Sequence, residues 1–132
     1  NPSARHALDF GKTGERTLRA CLGDAASPVP AYQLLSEGMR FEARLAHDAC
    51  DFDIDYVFEV DDCLEDFGIE ELAFDLEPAA YIEEFRRQQF ARSNRSMLPL
   101  PAALGAIRLT SVEDEVLERH AHAYLASRKE LL

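Results

Sequence analysis

From Met39 to Leu45 the chain alternates strictly: Met39, Phe41, Ala43 and Leu45 are apolar, and Arg40, Glu42 and Arg44 are charged. This is the period-two pattern of a half-buried strand. A second alternating run follows His47 and Asp48. Cys50, Phe52, Ile54, Tyr56, Phe58 and Val60 fall on one face, Asp51, Asp53, Asp55, Glu59 and Asp61 fall on the other, and only Val57 departs from the rule. Two such runs joined by a short polar connection predict an antiparallel hairpin over 39–60 with both apolar faces turned to one core. Leu72, Phe74 and Leu76 predict a third strand, and Ile107 and Leu109 a short fourth within 106–109.

Helical patterns flank this central block. Leu18, Cys21 and Leu22 share a face of a helix over 15–22, with Thr13 as its N-cap and Gly23 as its stop. Pro30 opens a brief helix through Tyr32, Leu34 and Leu35 that ends near Gly38, and Asp62 caps a turn through Leu64 and Phe67 that ends at Gly68. Tyr81, Ile82 and Phe85 mark a helix over 78–92, and the stretch from Ser93 to Pro101 reads as a loop. In the last helix, 111–130, Thr110 and Glu113 form a capping box, Val112, Val116, Leu117, His120 and Tyr124 make the apolar stripe, and Arg128 and Lys129 suit the C-terminal turn. The expected fold is a single α+β domain over 1–132, in which an antiparallel sheet of three or four strands, built on the 39–60 hairpin, is packed by the helices at 78–92 and 111–130.

Composition adds bounds. Hydrophobic residues make up 47% and charged residues 30% of the 132, the balance of a folded globular protein. No apolar run approaches the roughly 20 residues needed to span a bilayer, and no secretory leader is visible, so the cytoplasm is the expected location. The chain opens on Asn1 and not on Met, which is compatible with a leader removed by processing. Cys21, Cys50 and Cys63 are odd in number and lack a CxxC spacing, so they read as small buried residues and not as a disulfide framework or zinc site.

Charge changes the picture more. The net charge is −11, yet between Asp48 and Glu84 there are fifteen acidic residues and no Lys or Arg, while the rest of the chain carries ten acids and fourteen bases. The run Asp51 to Asp62 places acids where a calcium-binding EF-hand loop would, but that loop needs Gly at its sixth position and here Tyr56 stands there. Acids in alternation on a strand would sit about 6.8 Å apart, too far for a tight cation cage or a general acid and base pair without help from other segments. Neither Cys50 nor Cys63 has the basic surroundings a nucleophilic thiol requires, and no GxGxxG, Walker, GxSxG or HExxH pattern is present. Neither a cofactor nor a metal is expected.

These features point to non-enzymatic binding, in which an acidic surface engages a basic macromolecular partner such as a nuclease, a toxin or another nucleic-acid-handling protein, after the manner of an inhibitor, an immunity protein or a nucleic-acid mimic. Asp51, Asp53, Asp55, Glu59, Asp61, Asp62, Glu65 and Asp66 are the candidate contact residues. Direct binding of nucleic acid is disfavoured by the sign of the charge, and membrane binding is not expected. Two alternatives stand beside this reading. One is an acidic secretion-type chaperone, commonly a homodimer, that holds a client segment on an exposed apolar groove. The other is a small enzyme whose site gathers distant residues such as His47, Tyr81 or Arg86. The deciding question is whether arginines from the two ends of the chain fold over the acidic segment and neutralise it.

Overall fold

The computed structural model describes residues 10–93, 97–103 and 106–132, and among them the architecture is mostly helical, so the expected α+β sheet does not form. In chain order the elements are α1 (Lys12–Leu22), a 3-10 turn (Gly23–Ala26), α2 (Ala31–Ala49), α3 (Ile54–Asp66), α4 (Pro78–Ser93), β1 (Met97–Ala103), β2 (Ala106–Ser111) and α5 (Asp114–Glu130). The two strands pair only with each other, antiparallel, from Met97 opposite Ser111 to Ala103 opposite Ala106.

The predicted 39–60 hairpin is the main correction. Residues 39–49 instead continue the helix that starts after Pro30, and α2 runs straight through Gly38. The helix is hidden because it has almost no outward face: Glu37, Arg40, Phe41, Glu42, Ala43, Leu45 and Ala46 are all buried. α2 packs against α1, α3, α5 and β1 together, so Glu37, Arg40 and Glu42 point inward beside its apolar residues. Gly38 is not a stop. It lets α1 approach, since a Cβ there would sit 2.0 Å from the Gly11 carbonyl oxygen.

The second alternating run also belongs to a helix. Asp51 turns the chain at φ 56°, and Asp53 caps α3 by accepting a hydrogen bond from the Asp55 N–H at 2.9 Å. Val57, the one residue that broke the alternation, is an anchor of this helix at 1% exposure, together with Leu64, whereas Phe58 points outward at 54%. Gly68, at φ 78°, ends α3 as expected: its N–H reaches the Glu65 carbonyl and the Ile69 N–H reaches that of Leu64, the Schellman arrangement.

Residues 69–77 form neither helix nor strand and bond to α2 instead: the Leu72 N–H donates to Glu37, and the Gln33 amide donates to the Glu70 carbonyl. β1 occupies part of the expected 93–101 loop despite Pro99 and Pro101, which a two-stranded ribbon tolerates because both of its strands are edges. The capping box of α5 is absent. Thr110 lies in β2, and the N-cap Glu113 makes no side-chain cap bond.

The core centres on Phe41 of α2, whose ring lies 5.3 Å from Tyr81 and 5.4 Å from Phe85 on α4, and 5.2 Å from Tyr124 on α5. Thus the helices at 78–93 and 114–130 do pack over the centre, but on a helix and not on a sheet.

Candidate functional site

The outer face of α3 gathers most of the acidic segment. At about 100° per residue, Asp55, Glu59, Asp62 and Asp66 form one stripe opposite the buried Val57 and Leu64, and Glu65 lies beside it; all five are exposed. The distance along the axis from Asp55 to Asp66 is about 16.5 Å, so five carboxylates stand at an axial interval of about 4 Å. Phe58, 54% exposed, and Phe67, 77% exposed, flank the stripe. Phe67, Glu59, Asp62, Cys63 and Asp66 line a shallow depression of about 330 Å³.

Of the eight predicted contact residues, the structure thus brings five onto this face. Asp51 and Asp53 are exposed just before it, and Asp61 turns inward, where Arg44 grips it with two bonds of 3.1 and 2.6 Å. Among the described residues, cationic side chains reach six of the fifteen central acids: Asp48, Asp61, Glu71, Asp75, Glu83 and Glu84. None of the five carboxylates on the face of α3 is among them. Among the described residues the covering arginines lie elsewhere. Cys63 is exposed on this helix, against the expectation that all three cysteines are buried, whereas Cys50 is buried with its Sγ 2.9 Å from Thr110 Oγ1.

A second cluster, not anticipated from sequence, joins α2, α5 and the 69–77 segment. Glu37 is fully buried and accepts four hydrogen bonds: its Oε1 takes the Tyr124 hydroxyl at 2.5 Å and Arg128 Nε at 2.5 Å, and its Oε2 takes Arg40 Nη1 at 3.1 Å and the Leu72 N–H at 3.3 Å. Arg128 also reaches Glu71 at 3.0 Å and stacks over Tyr124, 4.9 Å from the ring centre. Burial, the largest single effect, would lower the Arg128 guanidinium, but the Glu37 charge, Tyr124, the Glu37 hydrogen bond and Glu71 together outweigh it and hold the group above its ordinary value. Burial, with Glu37 beside it, pushes the Tyr124 phenol well up. Arg40, Arg44, His120, Tyr124, Ser127 and Arg128 contribute to the lining of a cavity of about 290 Å³ over this cluster. Nearby, Asp48 joins α2 to α5 by accepting from Arg119 at 2.8 Å and meeting His120 Nε2. The hydrogen bonds from Arg119 and then His120 hold its carboxyl below the usual range. The one signal for this cluster in the sequence is the set of charged residues inside the 39–45 run, whose alternation mimics an outward strand face.

No protein-family model matches the chain, and no curated protein matches it either. Among the described residues, no three His, Cys, Asp or Glu side chains are grouped to hold a metal ion, and no helix is long and apolar enough to cross a membrane.

Proposed function

We propose that this protein is a non-enzymatic binding module, working in the cytoplasm, that engages a basic macromolecular partner through the outer face of α3. The observation that carries the reading is the stripe of Asp55, Glu59, Asp62, Glu65 and Asp66, exposed and without an ion pair among the described residues. Its axial interval of about 4 Å approaches the roughly 3.4 Å between phosphates along one DNA strand, and is closer to it than the 6.8 Å of a strand row. A surface of that charge density suits a protein whose own ligand is nucleic acid, in the manner of an inhibitor or immunity protein. The acids also crowd the C-terminal half of α3, where the helix dipole favours cations and no basic residue stands. An incoming Lys or Arg relieves both effects.

Phe58 and Phe67 add the apolar anchors that such an interface uses at its centre. They are embedded among carboxylates and do not form an apolar groove, which favours a cationic partner over the client segment of a chaperone.

The test is affinity capture from native lysate with wild-type protein and with the quadruple variant Asp55→Asn, Glu59→Gln, Asp62→Asn, Asp66→Asn. Basic proteins retained by the wild type at low salt should be lost at high salt and lost with the variant, and association of a purified partner should slow at least about tenfold. Equal retention by the two proteins would reject the acidic face as the contact.

A further inference from the structure

The cavity between α2 and α5 has hydrogen-bond donors left over after its acceptors are used. Glu37 is saturated by four donors, and Asp61 is held by both Nη atoms of Arg44. Glu71 is taken by Arg128. Of the guanidinium groups around the cavity, Arg40 spends Nη1 on Glu37 and Nη2 on the Ile69 carbonyl, yet its Nε–H, on a side chain only 4% exposed, meets no acceptor in the protein. Arg128 spends Nε and Nη1, which leaves Nη2, and Arg44 spends both Nη atoms, which leaves Nε. Three guanidinium groups, Arg40 and Arg128 held by the shared Glu37 and Arg44 by Asp61, thus retain donors and contribute to the lining of one cavity of about 290 Å³. A buried guanidinium N–H without an acceptor is rare enough in folded proteins to call for a partner.

We propose that this cavity is a binding site for a small oxyanion, the carboxylate or phosphate group of a compact ligand. The cavity sits at the small end of the roughly 300–1,000 Å³ typical of small-molecule sites. Arginines pre-fixed in this way present planar donors that match the geometry of a carboxylate or phosphate. Tyr124 and Phe41 give the cavity an apolar wall, and Ser127 Oγ a further polar atom. The overall charge of −11 does not forbid an anion here. Asp61 and Glu71 also line the cavity, but each is already paired with a guanidinium, and exposed carboxylates beyond a Debye length of about 8 Å are screened. The inference is independent of the binding role of α3.

The experiment is an NMR titration of the full chain with inorganic phosphate and, separately, with acetate, at constant ionic strength made up with chloride. The Nε–Hε resonances of Arg40, Arg44 and Arg128 are followed together with the backbone amides of α5. At least one of the two anions should give saturable shifts confined to these residues, with a midpoint below about 10 mM. Saturation by phosphate alone identifies a phosphate group, and saturation by acetate alone a carboxylate. Ala123→Leu adds apolar bulk at an exposed position of the lining without removing a charge, and Arg44→Gln removes one donor set from a partly exposed side chain. Each should raise the midpoint at least about tenfold while the remaining spectrum stays that of the folded protein. Shifts that rise linearly without saturating, shifts shared equally by surface arginines such as Arg16 and Arg19, or midpoints unchanged in both variants overturn the proposal.

Discussion

Gly38→Ala is expected to destabilise the protein severely, although alanine is the better helix former. In the interior of a helix the exchange alone should stabilise by about 1 kcal/mol. Here the added Cβ would lie 2.0 Å from the Gly11 carbonyl oxygen and 2.7 Å from the Glu15 nitrogen, the two atoms of the first hydrogen bond of α1. Backbone does not yield as a side chain does, so the start of α1 must retreat by about 1.4 Å to restore ordinary contact at 3.4 Å. Across the same contact Glu42, fully buried one turn further along α2, accepts the N–H groups of Gly11 at 3.1 Å and Gly14 at 2.9 Å. These are donors at the N-terminus of α1 that have no partner within the helix. A retreat of that size carries both bonds beyond hydrogen-bonding range, and bonds to a charged group contribute about 1.5–3 kcal/mol each. The net loss is about 2–5 kcal/mol, a large part of the 5–15 kcal/mol typical of a whole domain. Urea unfolding measures it. A double-mutant cycle with Glu42→Gln identifies the cause, because the two costs should overlap and not add. Gly38→Ala at or above wild-type stability, or strictly additive costs, would refute the reasoning.

Glu37→Gln keeps the shape of the side chain but leaves Arg40 and Arg128 without their shared buried charge; unfolding should become easier by roughly 3–5 kcal/mol in chemical denaturation, and a loss below about 1 kcal/mol would contradict the network. Asp48 has a lowered carboxyl, so its contribution is present above the unfolded carboxylate range near pH 4 and fades as pH falls through the lower folded value; Asp48→Asn should flatten the stability profile below about pH 4. Burial raises the phenols of Tyr81 and Tyr124, so the unfolded chain releases these protons first and stability should decline as pH climbs past about 10; absorbance titration should show both ionising only with unfolding. Under native conditions a thiol reagent should modify Cys63 well before Cys50, and equal rates would contradict the burial of Cys50.

What was legible in the sequence were the elements whose polar residues face water. The helices at 78–92 and 111–130 appear within two or three residues of their expected ends, and Gly23 and Gly68 do terminate helices. The central block failed for one physical reason. Within 39–46 Arg40 and Glu42 are buried beside Phe41, Ala43 and Leu45, so their alternation with apolar residues marks no outward face and imitates a strand. Alternation between Arg40, Glu42 and Arg44 recorded three separate duties: Arg40 completes the Glu37 cluster, Glu42 caps α1, and Arg44 holds Asp61. The acidic segment was legible as a concentration of charge. Its arrangement was not, because a period of two separates Asp51, Asp53 and Asp55 from Asp62 and Asp66, whereas a period of 3.6 unites Asp55 with Asp62 and Asp66.

This arrangement also places the charge on the element least able to bear it. Residues at i,i+3 and i,i+4 along α3 repel in the pairs 55–59, 59–62, 62–65 and 62–66, each by a few tenths of a kcal/mol, or about 1–2 kcal/mol in total. Only Val57 and Leu64 of the thirteen residues of α3 are buried. The helix is held instead by the Asp53 cap and the Gly68 motif at its ends and by the Arg44 bridge to Asp61 along its length. A surface kept only for solubility has no need to gather on one such helix five acids that meet no cation among the described residues, since the same charge spread over the molecule serves as well with less repulsion. A cationic partner changes that comparison: it removes the repulsion and meets the negative end of the helix in the same step. The stability of α3 should therefore rise on binding more than that of any other element, and protection of its amides against hydrogen exchange in the complex distinguishes a docking surface from a merely acidic one.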